Sequence, residues 1–276
     1  MPKPEYRGRI APSPTGYLHL GHAKTFWTAY TRAKDAGGIL VYRDEDIDLQ
    51  RCRPEFSTAA EKDLLHLGIC WDEGPIKQSE RLPLYEAALA KLVIKGLAYP
   101  CSCSRTEIQQ ATDARSTPSG EILFPASLRP SPGKFSSKPT LDLTMNYRFR
   151  VPDGKFVTFS DLLKGPQSFE AGEDFGDFLV WRKDGMPSYE LAVVVDDMEM
   201  RITEVVRGED LLISTARQLL LYEAFNQNPP EFYHESLVKD ENGLRLAKRS
   251  DSLALRRLFQ QGHGVESLSR MWKENS

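Results

Sequence analysis

A chain of 276 residues, 40% of them hydrophobic and 27% charged, has apolar mass enough for a packed core; its composition excludes a collagen-like, coiled-coil or wholly disordered protein. Lys and Arg number 36 against 39 Asp and Glu, a net charge of −3, which excludes a uniformly basic nucleic-acid coat but not a local basic patch. No stretch approaches the roughly 20 apolar residues that span a bilayer. The opening residues carry charge without the apolar core of a secretory signal, so a cytoplasmic protein without membrane partners is expected.

Chains usually split into domains beyond roughly 250 residues, so one large domain, or a domain with an insertion, is expected. Arg9-Ile10-Ala11 reads as a short strand that ends at Pro12, and Pro12–Gly16 as a proline-stiffened turn. Ala23, Phe26, Trp27, Tyr30 and Ala33 then recur at helical spacing, Gly37-Gly38 stops the helix, and Ile39–Tyr42 is a buried strand. Together these form a βαβ unit with a right-handed crossover. Helices are expected at about 55–67 and 80–95, closed by Gly68 and Gly96.

From Pro100 the texture changes. Residues 116–139 are rich in Ser and Pro and read as a loop. Leu141–Leu143, Tyr147–Val151 and Phe156–Phe159 read as short strands, with Pro152-Asp153-Gly154 as a hairpin turn. Leu191–Val195 reads as a buried strand, Arg201–Val206 as another, and Leu211–Phe225 as a helix. Residues 232–239, a turn at Asn242-Gly243, a basic segment and a helix over 253–261 follow, and the polar last dozen residues are expected to fray. The expected class is α/β: a Rossmann-type parallel sheet split by an inserted α+β module, with a short C-terminal helical segment. Its halves would be residues 1–98 and 187–262, the insert 99–186 and the tail 263–276.

Gly16-Tyr17-Leu18-His19-Leu20-Gly21-His22 opens the first helix. In an open parallel sheet, ligands bind beyond the carboxyl ends of the strands, where a helix start offers free N–H groups and a positive dipole end to phosphate. Gly21 lets a flat ring approach the backbone, and His19 and His22 share one face of a turn, placed to donate to phosphate oxygens.

The run Arg9-Ile-Ala-Pro-Ser-Pro-Thr-Gly-Tyr-Leu-His-Leu-Gly-His22 resembles the start of a glutamyl-tRNA synthetase, and His19-Leu-Gly-His22 resembles the HIGH signature of class I aminoacyl-tRNA synthetases. Arg43-Asp-Glu-Asp-Ile-Asp48, Trp71-Asp-Glu-Gly-Pro75, Val194-Val-Asp-Asp197 and Val206-Arg-Gly-Glu-Asp210 agree in order, so the resemblance covers about residues 7–260. The sequence ends soon after its second signature, so a form without a C-terminal anticodon-binding region is expected. That short form is similar to the glutamyl-queuosine tRNA(Asp) synthetases, which activate glutamate and attach it to queuosine in the anticodon of tRNA(Asp).

The resemblance implies an ATP-dependent ligase. Arg9, Arg207 and the Tyr189 hydroxyl would meet the side-chain carboxylate of glutamate, and Glu45 and Ser13, with the backbone at Ala11, its α-amino group. His19, Gly21, His22, Arg245 and Lys248 would bind ATP, brought with Mg²⁺; His19, His22 and Lys248 would stabilise the transition state. Arg245-Leu-Ala-Lys248-Arg249 stands where the family carries a mobile Lys-x-Ser-Lys-type loop. Arg245 replaces the first lysine and Ala247 the serine, a loss of one hydrogen bond of about 0.5–1.5 kcal/mol. The acid–base logic fits glutamate: a buried carboxylate wants a forked cation, and glutamine would forfeit a charge-assisted bond of roughly 1.5–3 kcal/mol.

In the resembling short enzymes, a zinc site of Cys-x-Cys followed by Tyr and Cys often begins where Cys101 and Cys103 stand. Here Phe124 and Leu128 occupy the later positions, so no structural zinc is expected. Basic side chains at Arg245, Lys248, Arg249, Arg256 and Arg257, and at Lys134, Lys138, Arg148 and Arg150, are candidate RNA contacts. Expected partners are glutamate, ATP and queuosine-containing tRNA(Asp), with the protein itself a monomer. The alternatives are a shortened glutamyl-tRNA synthetase acting on an acceptor end, a non-catalytic glutamate- or nucleotide-binding module, and an adenylating enzyme with another acceptor.

Overall fold

Strand β1 (Arg7–Ile10), helix α1 (Leu20–Asp35) and strand β2 (Ile39–Asp44) form the βαβ unit, with β1 and β2 parallel and Arg9 beside Val41. The structure, a computed structural model, describes residues 5–117, 120–131, 140–238 and 254–274. Helix α1 buries Leu20, Ala23, Phe26, Ala29 and Ala33 against the sheet, the spacing of one helical face. Gly37 ends it at φ +60°, and Gly38 cannot be replaced, since a Cβ there would lie 2.4 Å from the Tyr6 carbonyl oxygen.

Helix α2 (Pro54–His66), strand β3 (Glu73–Lys77), helix α3 (Leu82–Ile94) and strand β4 (Ala98–Cys101) follow, and β3 lies parallel to β2. The next stretch holds helix α4 (Arg105–Gln110) and strands β5 (Asn146–Phe149), β6 (Phe156–Asp161), β7 (Gly165–Glu170) and β8 (Phe178–Trp181). Strands β4, β5 and β8 make an antiparallel sheet. Strand β6 pairs with β7 and not with β5, so the turn at Pro152–Gly154 links two sheets and closes no hairpin. Leu141–Leu143 is not a strand.

Helix α5 (Tyr189–Glu199) corrects the reading of Leu191–Val195 as a strand. Ser188 caps it, its Oγ accepting from the Leu191 amide at 3.4 Å, and every residue from Glu190 to Asp197 is buried. A helix buried all round shows the same continuous apolar run as a buried strand. Strand β9 (Glu204–Gly208), helix α6 (Leu212–Phe225) and strand β10 (Glu231–Glu235) come next, β9 and β10 parallel with Arg207 beside His234. The Thr203 amide donates to the Arg7 carbonyl at 2.9 Å, which sets β9 against the free edge of β1. Two hydrogen-bonded sheets, β1-β2-β3 and the one holding β9 and β10, thus meet edge to edge at β1 and β9, and the chain switches direction of travel between them. Strand β6 extends the far side through Asp161, which pairs with Phe232 of β10.

Of the residues expected to fray, 265–274 form helix α8 (Val265–Glu274), preceded by α7 (Leu255–Gln260), and the last two lie outside the described residues. Leu255, Leu258, Leu268 and Trp272 are buried in the same cluster as Phe26 and Ala29 of α1. Leu268 and Trp272, four apart, form one apolar stripe, with Val265 and Met271 packed against the same cluster.

Candidate active site

The switch between β1 and β9 opens a cleft of about 340 Å³ at the carboxyl ends of the strands. Its walls include Arg9 and Ala11 from β1 and its end, Ser13 from the proline loop, and His19, Gly21 and His22 from the start of α1. Glu45 follows β2, Tyr189 starts α5 and Arg207 lies on β9. Nine of the residues singled out from sequence thus line one cavity. Arg245 and Lys248 lie outside the described residues, as do Arg249, Lys134 and Lys138. The flanks of the segment 239–253 are both at the helix start: Val238 lines the cleft, and Ala254 bridges His19 while the Leu255 amide donates to Leu18 at 2.9 Å.

The loop is held from both sides. The Glu45 amide donates to Pro12 at 3.0 Å and the Arg53 amide to Pro14 at 3.0 Å. His19 caps α1, its Nδ1 accepting from the Gly21 amide at 3.1 Å, while His22 Nδ1 accepts from the His19 amide at 3.2 Å. The rings stack with centroids 3.7 Å apart. Because Nδ1 accepts in both, each ring carries its proton on Nε2, the nitrogen suited to donate to an oxyanion. The space beside Gly21 is bounded by His19, whose ring atoms would lie 3.1–3.2 Å from any Cβ there. The glycine therefore spares the stacked imidazole.

Arg9 and Arg207 bring two guanidinium groups into the interior, with 5% and 4% of their surface exposed. Arg9 Nη1 donates to the Val206 carbonyl at 2.8 Å, tying β1 to β9; its Nε lacks a hydrogen-bond partner among the described residues, with Asp197 Oδ1 at 3.8 Å. Burial pulls the Arg9 guanidinium below its ordinary range, against the attraction of Asp197. Arg207 donates from Nε to His234 Nε2 (3.2 Å), from Nη2 to Thr215 Oγ1 (2.6 Å) and from Nη1 to the Tyr189 hydroxyl (3.4 Å). Among the described residues, no carboxylate forms an ion pair with it. Burial pushes the Tyr189 hydroxyl up to about 12, so it stays neutral near pH 7.

Glu45 stands opposite in charge. Its Oε1 accepts from Arg43 at 3.0 Å and its Oε2 from the Ser13 hydroxyl at 3.4 Å. Burial lifts its carboxyl above the usual range, and Arg43 and Arg9 oppose that. Arg43 is fully buried; it bonds Asp197 at 2.6 Å and lies 3.8 Å from Asp196. Asp196 in turn accepts from Gln78, Arg81 and Tyr85.

Apart from Glu45, sequence reasoning gave this buried network no role, although the Arg43–Asp48 and Val194–Asp197 segments drew attention by resemblance. It also missed His234, Asp161 and Thr215 around Arg207. A lone histidine on a strand, an aspartate and a threonine from three distant segments carry no spacing signal. Two basic candidates are engaged inside the protein: Arg148 bonds the Asp177 carbonyl and lies over Phe124, and Arg150 bonds Pro130 and lies over Tyr99. Arg256 pairs with Asp63 at 3.3 Å and covers Tyr17. Cys101, Cys103, Phe124 and Leu128 pack in one apolar cluster with Tyr99 and Ile108. Among the described residues, no three His, Cys, Asp or Glu side chains are placed to hold a metal, and no helix is long and apolar enough to cross a membrane.

Residues 5–269 match the family model described as the catalytic domain of class I tRNA synthetases (E and Q). A glutamyl-Q tRNA(Asp) synthetase of Symbiobacterium thermophilum is 42% identical over 271 residues, covering 95% of this chain and 83% of that one. A glutamate–tRNA ligase of a Hydrogenobaculum species is 38% identical over 95% of this chain, which spans 56% of its length. Among solved structures, a glutamate tRNA ligase from Elizabethkingia meningosepticum, crystallised with its amino acid, superposes with a TM-score of 0.72 at 28% identity. It covers 94% of this chain, which spans 53% of that one. A ligase catalytic domain with its cleft at the sheet's switch point, this chain belongs to the class I glutamate and glutamine tRNA synthetase family.

Proposed function

We propose that the protein activates glutamate with ATP to glutamyl-adenylate, without RNA, and then transfers the glutamyl group to queuosine in the anticodon of tRNA(Asp). The observation that carries the first half is the cleft's charge pattern: Arg9 and Arg207 are buried at one place, Arg207 with only neutral direct partners, and Glu45 lines the same cleft. A buried guanidinium without a carboxylate partner is costly, and an acidic side chain from a ligand compensates it. Glu45 and Ser13 suit the ligand's ammonium. The phosphates then fall to the start of α1, where amide N–H groups and the Nε2–H of His19 and His22 donate.

The α-carboxylate attacks the α-phosphorus in line, the bond to the β-phosphate oxygen breaks, and pyrophosphate leaves. Mg²⁺ carried by the ATP phosphates would reduce their charge, and His19 and His22 would add donors beside it. The chain's own part is orientation and preorganised donation, with no covalent enzyme intermediate. Lys248 and Arg245 are proposed to meet the departing phosphates, which agrees with the flanks of their segment, Val238 lining the cleft and Ala254 bridging His19. A nucleophile on the RNA then takes the glutamyl group and AMP leaves.

The second half rests on the relatives, of which the short ones carry the glutamyl-Q tRNA(Asp) synthetase name. Mass spectrometry of tRNA nucleosides after incubation with ATP and glutamate tests it. Glutamyl-queuosine from tRNA(Asp) is the expected product. Glutamate on the acceptor end of tRNA(Glu) would replace this reading with that of a shortened glutamate–tRNA ligase.

A further inference from the structure

We propose that His234, oriented by Asp161, is a positioning residue that fixes the Arg207 guanidinium for the substrate's side-chain carboxylate; the proposal rests on the glutamate reading above. Asp161 sits at the end of β6, outside the cleft walls, and His234 on β10 is completely buried. One Asp161 oxygen lies 2.6 Å from His234 Nδ1, and the carboxylate also accepts from the backbone amides of His234, Leu163 and Lys164. A carboxylate receiving that many donors is ionised and accepts from Nδ1–H as well. The imidazole proton is thereby placed on Nδ1, and Nε2 presents its lone pair.

That lone pair faces Arg207 Nε at 3.2 Å and Thr215 Oγ1 at 2.9 Å. Thr215 Oγ1 itself accepts from Arg207 Nη2 at 2.6 Å. Two edges of the guanidinium are thus gripped by acceptors, and Nη1 is left toward Tyr189 and the cleft. Both acceptors are neutral. A carboxylate in the place of His234 would hold Arg207 equally well, but it would also neutralise it and compete with the ligand. Relaying Asp161 through an uncharged ring fixes the direction of the guanidinium while its charge stays available. Burial and the charge of Arg207 push the imidazole down to about 4, against the pull of Asp161, so it stays neutral near pH 7.

Three variants of the full chain separate positioning from packing. His234→Gln puts an amide oxygen near the place of Nε2 and keeps an acceptor for Arg207. His234→Asn reaches only the Nδ1 place, keeping a donor for Asp161 and losing the grip on Arg207. Asp161→Asn leaves the ring and removes the charge that fixes its tautomer. Calorimetric titration with L-glutamate, beside titration with ATP, should show glutamate weakened roughly tenfold or more in His234→Asn and about threefold or more in Asp161→Asn. His234→Gln should stay within about threefold of wild type, and ATP affinity should be unchanged in all three. In steady state, the glutamate KM should rise in His234→Asn while kcat at saturating glutamate holds.

Equal losses in His234→Gln and His234→Asn, or ATP affinity falling in step with glutamate, would overturn the positioning role. So would wild-type glutamate affinity in His234→Asn. Wild-type protein that binds no glutamate would overturn the glutamate reading and this proposal together, whereas wild-type binding with unaffected variants would overturn this proposal alone.

Discussion

Arg207 concentrates the selectivity argument in one side chain. Its planar fork is held by three neutral groups, and an acid ligand is what balances its charge. Arg207→Lys keeps the charge and loses the fork. It should lower kcat/KM for glutamate by about tenfold to a hundredfold, the worth of one charge-assisted bond, with little change in the ATP KM. Steady-state kinetics with each substrate varied in turn checks this; an equal loss for ATP would place Arg207 elsewhere in the mechanism. His234 has its own pH signature. An unfolded chain returns it to about 6.5, so between about pH 6.5 and 4 the unfolded state holds a proton that the folded state refuses. The stability it contributes is fully present above about pH 6.5 and is lost as pH falls toward its folded value. Glu45 and Glu190, both raised by burial, act in the opposite direction, so the difference between two proteins is the proper readout. Denaturant unfolding at about pH 7 and about pH 5 should show wild type losing about 2 kcal/mol more than His234→Gln. Equal slopes would contradict the buried neutral histidine.

Among the elements, β1, α1 and β2 were legible because turn chemistry, helical spacing and the terminal glycines agree there. The Leu191–Val195 run was not, since a fully buried helix erases the periodicity that separates it from a strand. Ser188 in cap position with Glu190 in the first turn was the local signal for a helix. That signal matters to the site, because α5 carries Tyr189 at one end and Asp196 and Asp197 at the other. The terminal helix α8 was lost for the opposite reason: its two buried anchors, Leu268 and Trp272, are diluted by polar neighbours. Leu268 is fully buried against the α1 cluster, so Leu268→Ala should cost about 2–4 kcal/mol and lower the melting midpoint. An unchanged midpoint would mean that the tail contributes nothing to the core. The pocket's inner layer was illegible for a third reason, since Asp161, Thr215 and His234 meet only through the pairing of β6, β9 and β10 with α6 above them.

Across the whole molecule, the stretch between the two halves of the parallel sheet is bound into it and does not hang from it. Strand β6 pairs with β10, and Asp161 reaches from that strand to the residues holding Arg207. At its other end, the stretch packs Cys101, Cys103, Phe124 and Leu128 as an apolar cluster beside the Tyr99–Asp177–Arg129 hydrogen bonds. Packing is therefore proposed to hold it without zinc. Metal analysis should find zinc far below one equivalent, and a chelator should leave the melting midpoint in place; near one equivalent with a chelator-sensitive midpoint would contradict this. The central claim remains that one cleft, lined by buried Arg9, Arg207 and Glu45 and by a histidine-capped helix start, activates glutamate on ATP. The most direct test is amino-acid-dependent exchange of pyrophosphate into ATP by the purified protein with no RNA present. The account predicts exchange driven by glutamate and weaker by about tenfold to a hundredfold with glutamine. No exchange, or exchange driven better by glutamine, would contradict it.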